Sequence, residues 1–106
     1  MTEQQIIETL ATNVMGWEVV NSEVTGKPRW FYQPDKQFCL EMIDWNPLQN
    51  IADAWMLVEK FEDSLTLESW EGFICEICSP VCVRAHEKTA QEAICKAALK
   101  VIGQDA

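Results

Sequence analysis

Four residues in the last third of the chain have the spacing of a soft-metal site: Cys75, Cys78, Cys82 and His86 read C-x2-C-x3-C-x3-H. Three thiols and an imidazole in a loop are a ligand set that zinc accepts. The surrounding pattern, however, is extended. Val81, Val83 and Ala85 alternate with Cys82, Arg84 and His86, Ser79-Pro80 precedes them as a turn, and Leu65 to Ile77 approaches that turn with a rough alternation of its own. An ideal hairpin spreads the four side chains along its length instead of converging them. Cysteine also packs readily as a small buried hydrophobe. The expectation is therefore no metal and no cofactor, with Cys75, Cys78, Cys82 and His86 as the metal-binding alternative. Five cysteines are an odd count, and with no sign of secretion they read as reduced thiols.

Nucleophilic chemistry fares no better. His86 is the only histidine, and Cys82, four residues away on the same strand face, lies roughly 13 Å from it along the backbone. Pairing of His86 across the hairpin, near Trp70, is the better expectation. There is no glycine-rich phosphate loop, paired-carboxylate signature or histidine-rich motif, so no catalytic residue is assigned and the reading leans away from an enzyme.

A second group suits binding. Lys27, Arg29 and Lys36 flank the aromatic run Trp30-Phe31-Tyr32, and Trp45 borders a loop. Lys27, Arg29, Trp30, Tyr32, Lys36 and Trp45 are thus candidates for stacking on a nucleotide base or anchoring a protein partner. The net charge of −9 disfavours direct nucleic-acid binding. It suits solubility first, and an acidic mimic of nucleic acid second. No apolar run is long enough for a membrane span, and Met1 to Gln5 do not resemble a secretory signal, so the expectation is a cytoplasmic protein without membrane contact.

Helices and short strands must position these groups. Thr2 and Gln5 form a capping box before Ile6, Ile7, Leu10, Ala11 and Val14, which predicts a helix over 3–15 stopped by Gly16. Trp17-Glu18-Val19 and Trp30 to Tyr32 read as extended, and Phe38 to Ile43 as a short strand or an ordered loop. Asn46 and Pro47 suit the start of a second helix, whose apolar stripe is Ile51, Ala54, Trp55, Val58 and Phe61. Trp55 therefore reads as core. In the hairpin, Leu65, Leu67, Phe73 and Ile77 are core candidates. Thr89 and Glu92 cap a last helix with Ala90, Ala93, Ile94, Ala97, Ala98 and Val101 on one face, and Gly103 stops it. Residues 1–106 then form one α+β domain: a small antiparallel sheet with packed helices, in the order α-β-(β)-α-β-β-α.

Several pieces together resemble a known family. Val14-Met15-Gly16-Trp17, the aromatic-Pro-Asp turn from Trp30 to Asp35, Trp45-Asn46-Pro47 leading to Ile51-Ala52-Asp53-Ala54-Trp55 and Val58-Glu59-Lys60, and Thr89-Ala90 followed by Ala93 to Leu99 are similar to the phage ABA sandwich domain, in the family's order. The resemblance implies an α/β/α sandwich-like fold encoded by phages or prophages. It implies no reaction, cofactor or functional residues. The chain departs from the family pattern at Leu48 and Asn50, where a serine or threonine and an acidic residue are usual, so Asn46 or Asn50 must cap the helix. It departs again at Gln91-Glu92, where a proline is usual, and in its cysteine-rich hairpin.

The function expected is that of a noncatalytic phage or prophage accessory protein that binds and modulates a host protein. The alternatives are a sponge for a signalling nucleotide, an acidic nucleic-acid mimic, and a zinc protein built on the Cys75 to Cys82 hairpin. A homodimer fits any of them, because a sheet of few strands leaves an edge to cover.

Overall fold

The computed structural model describes residues 2–20, 30–32, 39–41, 44–78 and 81–103, with the side chains of 19–20, 30–32 and 39–41 outside the description. The first helix, α1 (Glu3–Thr9), opens on the expected reciprocal cap: Gln5 N–H donates to Thr2 Oγ1 at 3.2 Å, and Thr2 N–H donates to Gln5 Oε1 at 2.9 Å. It widens into a π-helical turn over Leu10–Val14, closed by Met15 N–H on the Leu10 carbonyl at 3.0 Å and Trp17 N–H on the Ala11 carbonyl at 2.9 Å. Gly16, at φ +74°, turns the chain out of the helix and into strand β1 (Glu18–Val20).

Strands β1, β2 (Trp30–Tyr32) and β3 (Cys39–Glu41) form an antiparallel sheet in chain order. The Phe38 to Ile43 stretch thus contains a strand. A second antiparallel sheet is built from β4 (Leu65–Ser69), β5 (Phe73–Cys78) and β6 (Cys82–Glu87). The stretch expected as one arm of a hairpin is therefore two strands. The turn between them needs two successive residues at positive φ, and Glu71 (φ +46°) and Gly72 (φ +110°) supply them. A Cβ on Gly72 would lie 2.6 Å from the Glu87 carbonyl oxygen, so only glycine fits where the turn passes β6.

Strand alternation sorts this sheet into two faces. Leu67, Cys75 and Ala85 stand side by side in register, as do Leu65, Ile77 and Val83, and both rows face the core. Thr66, Glu76 and Arg84 form a row on the opposite face, followed by Cys78 beside Cys82.

Two asparagines stage the entry to α2 (Ile51–Phe61). Asn46 Oδ1 accepts from Leu48 N–H and Gln49 N–H, forming a separate turn that holds Pro47. Asn50 is the helix cap, accepting from Ala52 N–H at 2.9 Å and Asp53 N–H at 3.3 Å. Pro47 consequently precedes the helix instead of occupying its first turn.

The buried face of α2 is rotated from the expected stripe. At roughly 100° per residue, Leu57, Phe61, Ala54 and Val58 span an arc of about 100°, whereas Trp55 is displaced by about 100° from Ala54. Ala54 and Leu57 are wholly buried, and Ile51 and Trp55 are 47% and 50% exposed.

The last helix, α3 (Ala90–Val101), is capped by Thr89 Oγ1, which accepts from Glu92 N–H at 3.2 Å. It packs across β5 and β6, and against α2 and the π-helical turn. Ala93, Ile94, Cys95, Ala97, Ala98 and Leu99 are wholly buried. Their mostly small side chains let α3 approach several neighbours at once, which places it at the centre of the core.

Candidate functional site

The basic and aromatic group divides. Lys27, Arg29 and Lys36 lie outside the described residues, and Trp30 and Tyr32 are placed only as the ends of central strand β2. Trp45 is wholly buried, which corrects its assignment as a loop-edge contact residue. The turn that Asn46 and Pro47 make carries the indole inward, against Trp17, and leaves it no surface for a partner. Trp55 is corrected in the opposite direction, from core to half-exposed, by the rotation of α2.

The cysteines and histidine do not gather. Cys75 sits on the core face of β5 opposite Ala85, and burial pushes its thiol up from 9.0 to about 11. Cys95 on α3 is also buried, and desolvation pushes its thiol up further still. Both are free thiols. Cys78, an odd number of residues from Cys75, lies on the other face. It is bonded to Cys82, directly opposite in register with a Cα separation of 3.8 Å. This disulfide corrects the expectation of reduced thiols: the hairpin register brings the two sulfurs together whatever the parity of the total count.

His86 is engaged at the far end of the hairpin, near Trp70 as the sequence suggested. Its Nε2 lies 3.1 Å from the Trp70 carbonyl oxygen and 2.9 Å from that of Glu71. With acceptors alone facing it, that nitrogen carries the hydrogen and donates to both. The ring thereby staples the β4–β5 turn. A shallow cleft of 550 Å³ beside it is lined by Glu71, Gly72, His86, Glu87 and Lys88, none of them a hydroxyl or thiol nucleophile.

One grouping was missed in the sequence. The carboxylate of Glu76 and the sulfurs of Cys78 and Cys82 lie within 4.8 Å of one another. Glu76 and Cys78 are two apart on one strand, and strand alternation was the signal that could have joined them. Arg84 Nε stands 3.6 Å from Glu76 Oε2 across the strands, a largely exposed pair of little energetic weight.

Four large apolar residues are exposed among those described: Ile51, Trp55, Trp70 and Val81. Trp70 and Val81 stand singly at hairpin turns at opposite ends of β5. Ile51 and Trp55 are one turn apart on α2 and form a continuous ridge. Their type and i, i+4 spacing were visible in the sequence, but their phase relative to Leu57 was not. No helix among the described residues is long and apolar enough to cross a membrane.

The chain matches the family model of the phage ABA sandwich domain over residues 8–99. A search of curated proteins finds no match. Among solved structures, a phage protein from Bacillus cereus ATCC 14579 has a similar fold, with a TM-score of 0.74 over 100% of this chain and 92% of that one, at 20% sequence identity.

Proposed function

The chain belongs to the phage ABA sandwich family, and from that membership we propose a noncatalytic protein that binds and modulates a host protein, using the Ile51–Trp55 ridge of α2 as its contact. The observation that carries this reading is the half-exposure of two large apolar side chains one turn apart on a helix whose other large apolar residues, Met56, Leu57, Val58 and Phe61, are packed in or against the core. Tryptophan is the residue type most enriched at the energetic centres of protein interfaces. Covering the exposed parts of both side chains removes about 200 Å² of surface from water, worth about 5 kcal/mol before the cost of association.

The rim argues for the partner's chemistry. Exposed Glu59 lies one turn beyond Trp55 and half-buried Asp53 lies between Ile51 and Trp55 in sequence, on a chain of net charge −9. An apolar groove with a basic border is the complementary surface. Support for a noncatalytic role comes from the engagement of His86 Nε2 with two carbonyls and from the burial of Cys75 and Cys95.

Affinity capture from infected host cells tests the reading when wild type is compared with Trp55→Ala and Ile51→Ala. A host protein retained by wild type, with affinity reduced roughly thirtyfold or more by Trp55→Ala, is the expected result. A partner that binds both variants as well as wild type would remove the ridge from the interface.

A further inference from the structure

We propose that Glu76, Cys78 and Cys82 form a site for one thiophilic divalent cation of the zinc class, closed while the disulfide is intact and opened by its reduction. This site is independent of the α2 ridge and differs from the C-x2-C-x3-C-x3-H reading, because strand alternation turns Cys75 to the core and register places His86 at the far end of the hairpin. The three remaining groups share one face of β5 and β6, and their ligand atoms already lie within 4.8 Å of one another.

The donor set fits the cation. Two thiolates select a soft or borderline metal, and a carboxylate completes the three-protein-ligand arrangement that zinc uses when its fourth position stays open. In tetrahedral geometry two sulfurs at about 2.3 Å from zinc stand roughly 3.8 Å apart, a distance that directly opposed cysteines reach by side-chain rotation. Charge also balances: two thiolates and one carboxylate sum to −3, and a divalent cation with Arg84, 3.6 Å from Glu76, supplies +3. Arg84 thereby stands as an outer, charge-balancing neighbour of the carboxylate. Cys82 is exposed and Cys78 half-buried, so reductant and cation have access.

The opening step is a thiol–disulfide exchange with a dithiol reductant. The Cys78–Cys82 Sγ–Sγ bond breaks, two electrons and two protons pass to the protein sulfurs, and the reductant leaves as its own disulfide. Cation binding then forms two metal–sulfur bonds and releases the two thiol protons to solvent, with the metal remaining divalent.

The test is a titration of tag-free, full-length protein under nitrogen with Co²⁺ as a spectroscopic probe and Zn²⁺ as its competitor. A phosphine-reduced sample is compared with the disulfide form. The expected result is one Co²⁺ per reduced chain with a thiolate-to-cobalt charge-transfer band, displaced by Zn²⁺, and no band in the disulfide form. Cys78→Ser and Cys82→Ser each abolish the band, Glu76→Gln weakens affinity by at least roughly tenfold, and His86→Ala changes nothing. Far-ultraviolet circular dichroism confirms that each variant is folded. Absence of the band in reduced wild type, its survival in Cys78→Ser, or unchanged affinity in Glu76→Gln would overturn the site, and the first of these needs no variant.

Discussion

The indole of Trp17 meets that of Trp45 edge to face, with ring centroids 5.0 Å apart and planes inclined by 64°. Trp17 leads into β1 and Trp45 leads into the turn before α2, so this contact pins two segment entries together within the buried core. Edge-to-face pairs add about 0.5–1.5 kcal/mol beyond the area they bury.

Tryptophan substitutions should therefore separate by location. Trp45→Ala is expected to cost about 3–5 kcal/mol, and Trp55→Ala less than about 1 kcal/mol, because only the first opens a cavity. Urea unfolding of the two variants checks this; equal losses would contradict the burial pattern.

The same pair marks the limit of what the sequence disclosed. Capping residues, glycine stops and strand alternation are local, and they placed α1, α3 and β6 with most of their buried residues; Val81, expected on the face of Val83 and Ala85, is instead 72% exposed, and Cys95 and Leu99 are wholly buried outside the face expected of α3. Helix phase is not local. Ile51, Ala54, Trp55, Val58 and Phe61 make an acceptable apolar stripe, but the small residues of α3 fit the flank bearing Ala54 and Leu57. Similarly, Leu65 to Ile77 alternates well enough for one strand, and only Glu71-Gly72 betrays the turn. The candidate site was legible as a set of cysteines and not as a constellation, because the register that joins Cys78 to Cys82 is set by the whole hairpin.

That β4–β5 turn yields substitutions of opposite sign. Glu71 holds φ +46°, where asparagine is easier to accommodate, so Glu71→Asn should raise stability by about 0.5–1 kcal/mol. Gly72→Ala should lower it by about 2 kcal/mol or more, since its Cβ meets the Glu87 carbonyl oxygen at 2.6 Å and the φ of +110° is strained for any other residue. Thermal unfolding of both variants provides the comparison. A neutral Gly72→Ala would show that the turn relaxes freely.

Alkaline pH should weaken the fold through the buried thiols. Burial raises the Cys75 thiol from 9.0 to about 11, so the folded protein keeps its proton where the unfolded chain loses it. This stabilisation is complete below pH 9 and disappears as pH rises through about 11, a loss on the order of 2–3 kcal/mol. Cys95 shifts in the same direction and for the same leading cause, and adds to the slope. Urea midpoints measured from pH 8 to 11 should fall for wild type and fall less steeply for Cys75→Ala. A parallel decline in the two proteins would place the effect elsewhere.

The start of α2 carries the last expectation. Asn50 Oδ1 accepts from two backbone N–H groups of the first turn, while Asp53 Oδ2 reaches back to accept from Asn46 N–H at 2.9 Å. The first bond set fixes where the helix begins, and the second, with a charged acceptor in a half-buried position, fixes the angle at which the preceding turn enters it. Asn50→Ala should cost about 1 kcal/mol and Asp53→Ala about 1.5–3 kcal/mol. Because both hold the same helix start, their double variant should lose less than the sum, with a coupling of at least about 0.5 kcal/mol. The consequence reaches Ile51 and Trp55, which stand in the first two turns and take their direction from this anchor. A double-mutant cycle read by urea unfolding measures the coupling, and strict additivity would show that cap and tether act on α2 separately.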